Sequence, residues 1–184
     1  QGLLEKVAAD YEQFASQKSD DLEIQLERGR AYLRLGDARR ILNQLPEAEH
    51  AYQQARQVFT DLKEAQPGNI EPERELATSQ IKLAILYQLQ EDLDQSSQLF
   101  QVTVQQLRDL GGKWPEDASL QKSLAIALGN TANLHYEMAK IGESEGLAVE
   151  SLALFRTLQQ ANPRDSSLAV NMGNALNLAG LIKY

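Results

Sequence analysis

Ala65-Gln66-Pro67-Gly68-Asn69, Lys113-Trp114-Pro115-Glu116-Asp117 and Ala161-Asn162-Pro163-Arg164-Asp165 are helix-ending phrases whose prolines stand 48 residues apart. A proline interrupts a helix because it lacks the backbone N–H and its ring meets the preceding turn. A fixed interval of this size is the signature of stacked repeats. One further step of 48 toward the N-terminus reaches Ser19, in the polar break Lys18-Ser19-Asp20-Asp21. The chain is therefore an array of similar units, which bury their core between neighbours rather than in separate globules.

Between the breaks the apolar residues fall at helical spacing. Leu3, Leu4, Val7, Ala8, Tyr11, Phe14 and Ala15 form an i, i+3, i+4, i+7 stripe over 2–17. Ser19, Asp20 and Asp21 supply caps for the next helix, which is expected to run to about Gln44. Pro46 suits the first turn of the one after, where its missing N–H is not needed. That helix, 46–66, carries Ala48, Ala51, Tyr52, Ala55, Val58, Phe59 and Leu62 on one face. The pair recurs at 71–91 with 93–110 and at 117–141 with 143–162, and 165–184 opens another. Phe59, Leu107 and Phe155 share a register at the 48-residue step, as do Leu62, Leu110 and Leu158. Calling the helices of a unit A and B, the order is B, A-B, A-B, A-B, A. The expected fold is an all-α right-handed superhelix of eight helices in antiparallel pairs, with no strand. As one repeat domain its parts are 1–19 (a B helix), the full units 20–67, 68–115 and 116–163, and the final A helix, 164–184.

Composition narrows the function classes. At 24% charged and 42% hydrophobic residues, the chain suits amphipathic helices and not disorder. A formal charge of −8 argues against general affinity for nucleic acid or an anionic membrane, both of which need a basic footprint. With no cysteine there is neither disulfide nor thiolate metal site. No apolar run approaches the ~18–20 residues of a membrane span. The chain opens on Gln1 without a signal peptide and reads as a piece of a longer protein, with a cytoplasmic location as the default.

At the helix turn the residues resemble the tetratricopeptide repeat (TPR) family. In the first full unit the family's Leu-Gly, Glu-Ala, aromatic and Ala positions are matched by Leu35-Gly36, Glu47-Ala48, Tyr52 and Ala55, with Pro67 closing the unit. The second unit follows loosely, with Leu83-Ala84, Tyr87, Ser96, Phe100 and Thr103. The third keeps Ala132, Ile141, Ser144 and Ser151, with Ala148 in place of the aromatic. Gly36, Ala48, Ala84, Ala132 and Ser144 are small where helix backbones must approach closely. The unit is longer than the common ~34 residues by about two helical turns per pair member. Such long units resemble repeats beside kinase domains in bacterial regulatory proteins and in kinesin light chains. Arg30-Ala31-Tyr32-Leu33-Arg34-Leu35-Gly36-Asp37 resembles the kind attached to bacterial serine/threonine protein kinases.

No reaction chemistry is visible, so no enzyme, cofactor or metal is expected. His50 and His135 are isolated and lack metal-ligand spacing. Gly111-Gly112 before Trp114-Pro115 reads as a helix C-cap and not a phosphate loop. What remains is a surface. The resemblance implies that ligands lie on the concave wall built by the A helices, and the 48-residue interval sets equivalent positions side by side. The rows are Arg34, Lys82, Asn130, Leu178; Arg30, Thr78, Ile126, Asn174; and Asp37, Ile85, Asn133, Leu181. Arg and Lys grip carboxylates or phosphates, and Asn pairs with an extended backbone. The expected peptide-binding residues are Arg30, Arg34, Lys82, Asn130, Asn133, Asn174 and Asn177. The competing reading is a solvated polar face, against which stands the density of Asn, a poor helix former, in two A helices. The family's trap for C-terminal carboxylates does not carry over, because Leu33 and Asp37 stand where it needs Lys and Asn. Tyr52, Phe59, Phe100 and Phe155 are expected in the core, Trp114 at its edge, and Tyr32, Tyr136 and Tyr184 are candidates for the groove. The chain is thus expected to be a protein- or peptide-binding scaffold, the regulatory or recruitment region of a larger signalling protein, in which Arg34→Ala with Lys82→Ala weakens capture without lowering the Tm. The alternatives are self-association, through Leu178, Leu181 and Ile182, and sensing of a small ligand.

Overall fold

The computed structural model describes residues 2–16, 19–165, 167, 168 and 171–173. Among these residues the structure is all helical, with no strand. Its helices are α1 (Gly2–Ala15), α2 (Leu22–Ile41), α3 (Leu45–Ala65), α4 (Ile70–Leu89), α5 (Leu93–Lys113), α6 (Ala118–Glu137) and α7 (Ile141–Ala161). Residues 167, 168 and 171–173 are also helical, where the eighth helix is expected. From α1 to α4 and again from α5 to α7, neighbouring helices pack in sequence order, consistent with a helical repeat.

The 48-residue step governs every boundary from α2 onward. Leu22, Ile70 and Ala118 begin the A helices, and Ile41, Leu89 and Glu137 end them. The A-helix N-caps Asp21, Asn69 and Asp117 repeat at the same step, and each side chain accepts from a backbone N–H two residues on, at 2.8, 3.0 and 2.9 Å. Such a cap satisfies a helix donor that otherwise has no partner. Asp165 continues the series, accepting from the Ser167 N–H at 2.9 Å.

The A helices stop earlier than the apolar pattern implies, at Ile41 rather than Gln44 and at Glu137 rather than 141. The cause is backbone: Asn43, Glu91 and Ala139, again 48 apart, have φ of 59°, 64° and 58°. A left-handed residue ends a helix and turns the chain into the antiparallel B helix. Of the B helices, α5 runs on while α3 and α7 end within a residue of expectation. α5 ends at Lys113, so Gly111 and Gly112 lie within its last turn and not at a cap. Its end matches those of α3 and α7, at Ala65 and Ala161.

The chain divides into two compact units, Gln1–Glu91 and Asp92–Tyr184. In the first, α1 packs on α2, α2 on α3 and α3 on α4, and α2 also touches α4. Tyr52, Phe59, Leu62, Leu83 and Leu86 are fully buried there. A Cβ added to Gly29 or Gly36 would overlap the ring of Phe59 or Tyr52, so both positions are small because an aromatic ring rests on the backbone of α2. In the second unit α5 packs on α6 and α6 on α7. There the close approach is sealed by hydroxyls: Ser144 Oγ donates to the Ala132 carbonyl and Ser151 Oγ to the Ala125 carbonyl, both at 2.7 Å. Phe155 is buried with Ala125, Leu158 and Leu168.

Some side chains depart from expectation. Leu3 is 77% exposed and Phe14 40%, so only Ala8 and Ala15 of the α1 stripe are buried. Trp114 is 44% exposed at the end of α5, not tucked against the core edge. Tyr32 and Tyr136 are partly buried, packed against the Ala8–Leu35–Ala38–Ala51 and Ala132–Ala148 clusters, which withdraws much of each ring from a groove. Tyr184 lies outside the described residues.

Candidate binding surface

In the first unit α2 and α4 build a polar face from the expected rows, and its charges are already wired together. Arg30 is held by three carboxylates, Nη1 to Glu27 at 2.6 Å, Nη2 to Glu71 at 2.6 Å and Nε to Glu75 at 2.7 Å. Burial works against the Arg30 charge, but these hydrogen bonds outweigh it and hold the guanidinium even more firmly protonated than usual. Two turns further along, Lys82 Nζ lies 2.8 Å from both carboxylate oxygens of Asp37. The Tyr52 hydroxyl donates to the same Asp37 at 2.7 Å. Burial raises the Tyr52 pKa well above its ordinary value, and the Asp37 charge adds to the effect. Lys82 is thus part of a network that reaches the buried core, and its replacement reports on stability as well as on binding.

Arg34 is different. It is exposed, and its guanidinium carbon lies 5.9 Å from the centre of the Tyr11 ring, within the range of a cation–π contact. Beside it a cavity of about 300 Å3 is lined by Asp10, Tyr11, Phe14, Glu27 and Ala31. Of the cationic residues expected to bind, Arg30 and Lys82 are committed to ion pairs and Arg34 presents its charge outward.

The cross-helix bonds do not join residues 48 apart. Asp37 pairs with Lys82 and Arg30 with Glu75, each a step of 45, one turn short of the repeat. Lys122 donates to Ser167 at the same step of 45 in the second unit, at 2.6 Å, and lies 3.3 Å from Asp165. The signal that finds these bonds is opposite charge at the period minus one turn, not side-by-side register.

The expected asparagines separate as well. Asn130 turns its amide back to the Ile126 carbonyl of its own helix at 2.9 Å. Asn133 is exposed and donates to Glu137 at 2.9 Å, leaving its carbonyl outward. Ile126 packs against the Phe155 cluster. Asn174, Asn177, Leu178, Leu181 and Ile182 lie outside the described residues.

The histidines hold no metal constellation, and no group of three or more His, Asp or Glu placed to bind a metal occurs among the described residues. His50 is exposed. His135, at the end of α6, is largely buried, and its Nδ1 lies 3.2 Å from Glu143 Oε2 at the start of α7. Burial lowers its pKa below 6.5, partly opposed by Glu143 and aided by Lys140. No helix among the described residues is long and apolar enough to cross a membrane.

Neither a protein-family model nor a curated protein matches the chain. Its fold is similar to that of a solved protein, BtubC (BKLC) from P. vanneervenii. The TM-score is 0.67 and the identity 16%, over 99% of this chain and 68% of that one. At that identity the likeness shows the fold alone, a helical repeat.

Proposed function

We propose that the chain is a non-catalytic protein-interaction scaffold of the long TPR type, receiving a peptide or protein segment on the face made by its A helices. The observation that carries this reading is the contrast on α2 and α4, where Arg30 and Lys82 are fixed in ion pairs while Arg34 stands exposed over Tyr11. Ion-paired neighbours hold the face in one arrangement before a ligand arrives, so little ordering entropy is lost on binding. Arg34 offers a planar fork of donors to a carboxylate, and Tyr11 a ring to an adjacent side chain. The scaffold would serve as the recruitment region of a larger signalling protein, which is where long repeats of this pattern are attached.

The test is capture from a lysate of the source organism by the parent and by Arg34→Ala, with captured proteins identified by mass spectrometry. Arg34 makes no ion pair within the described contacts, so the variant is expected to keep the parent Tm and lose the partner. Equal capture by both proteins would move the site off this face. A drop in Tm would show that Arg34 serves the fold.

A further inference from the structure

α1 is a B helix with one side uncovered. One period on, α3 packs on both α2 and α4, and its Ala51, Tyr52, Ala55, Phe59 and Leu62 are at most 1% exposed. Within the first unit α1 packs on α2 alone. The matching Leu3 and Phe14 are 77% and 40% exposed, and Leu4, Val7 and Tyr11 are only partly buried. What α3 has in addition is an A helix in front of it. That helix, α2, receives the Phe59 ring on Gly29 and the Tyr52 ring on Gly36, and its Leu35 and Ala38 pack with Ala51.

The cavity of about 300 Å3 beside Arg34 is the same place one unit earlier. Its Tyr11, Glu27 and Arg34 stand 48 residues before Phe59, Glu75 and Lys82. Those three are the residues that meet Gly29, Arg30 and Asp37 of α2. The cavity is therefore a seat for an A helix, and the helix that fills it must be bare where the Tyr11 ring and Leu4 approach. In α4 and α6 the corresponding residues are Ala77, Ala84, Ala125 and Ala132, all buried. In α2 both glycines lie under rings. The final A helix has Gly173 and Gly180 at these positions, three periods from Gly29 and Gly36. Its Leu168 and Met172 join the Phe155 cluster, whereas a Cβ added to Gly173 would meet nothing within 4 Å.

We infer that the exposed face of α1 is a docking site for the final A helix of a second copy of this chain, so that copies join head to tail. In this register Tyr11 takes the place of Phe59 over Gly173, and Leu4 that of Tyr52 over Gly180. Leu3 takes the place of Ala51, opposite Ala179 and Ile182 at the positions of Leu35 and Ala38. These contacts are apolar throughout, and burying apolar surface is what drives association. Leu181 falls where Asp37 would meet a cation, so docking leaves the Arg34 charge free for a ligand on the A-helix face. Two different surfaces form the contact, so each can be blocked separately.

Sedimentation equilibrium tests this. The mean mass of the parent is expected to rise above the 20.5 kDa of one chain as its concentration approaches about 1 mM. Gly173→Leu fills the bare face of the final helix. Nothing lies within 4 Å of the new Cβ and leucine is the better helix former, so this variant should keep the parent Tm while associating at least about tenfold more weakly. Leu3→Glu with Phe14→Lys, at two exposed positions, should weaken association equally by disabling the α1 face. A 1:1 mixture of the two variants should form dimers with the parent's affinity, since one brings an intact α1 and the other an intact final helix. That recovery is expected even where α1 of the second variant frays, because its final helix makes the contact. A parent that stays monomeric, or a mixture that does, would overturn the inference. Undiminished association of Gly173→Leu would also overturn it and show the α1 faces pairing with each other.

Discussion

Asn43, Glu91 and Ala139 bear the backbone cost of turning each unit, since a left-handed conformation crowds the Cβ of any residue but glycine by about 1–2 kcal/mol. The turn repays it in hydrogen bonds: after α6 the Lys140 N–H donates to His135 O at 2.8 Å and the Ala139 N–H to Tyr136 O at 3.0 Å. Asparagine tolerates this conformation and alanine does not. Ala139→Gly is therefore expected to stabilise the chain by about 0.5–1 kcal/mol in urea unfolding, the relief being partly offset by the greater freedom of glycine in the unfolded chain. An unchanged midpoint would mean that the turn is strained elsewhere. The neighbouring His135 supplies a pH dependence. Its folded pKa is below the ordinary 6.5, so as pH falls the unfolded chain takes up the proton first. The stability that His135 contributes is complete above pH 6.5 and declines from there down to its folded pKa. Unfolding free energies measured from pH 7.5 to 5.5 should fall in the parent and fall less in His135→Gln, and equal slopes would refute the assignment.

Between elements, the decisive fit is an aromatic ring laid on a bare backbone. Gly36→Ala puts a methyl into the Tyr52 ring and is expected to cost about 1–3 kcal/mol, the usual range for overpacking. In the Tyr52→Leu background the same change should cost less, and a double-mutant cycle with no coupling would exclude the clash as the cause. The sequence shows Gly36 as a place of close approach and Tyr52 as a core residue, but not that the Tyr52 ring fills the space over Gly36. Nor were the A-helix ends readable, since propensity alone does not place a glutamate or an alanine at positive φ. Gly111-Gly112 misled for the opposite reason. Glycine favours C-caps, yet buried Leu107 and Leu110 draw the last turn of α5 onto the core, and the register with Ala65 and Ala161 carries it to Lys113. Exposure of Leu3 and Phe14 was equally invisible, because an apolar stripe records which face is greasy and not whether a neighbour covers it. At the candidate site the sequence shows the charges of Arg30, Arg34 and Lys82, but not that two of them are consumed by Glu71, Glu75 and Asp37. Pairing across α2 and α4 depends on how far one helix slides along the other, which appears only as the step of 45.

At the scale of the whole chain, helices that pack on their sequence neighbours within each unit make the stability of that unit close to a sum of local terms. Contacts of short sequence separation also favour fast folding, on the micro- to millisecond scale of helical proteins. Phe59 tests the additivity. It is fully buried in α3 and rests on Gly29 of α2. Phe59→Ala removes a packed ring and is expected to cost about 3–5 kcal/mol. In a linear array that loss is felt by the helices that share the cavity. Hydrogen exchange should therefore show α2, α3 and α4 losing most of their protection while α6 and α7 retain theirs. A uniform loss across both units would mean that the chain melts as one cooperative object, and the energy of a ligand bound in either unit would then stabilise the other as well. Local loss would mean that a ligand on the A-helix face of the first unit stabilises that unit alone.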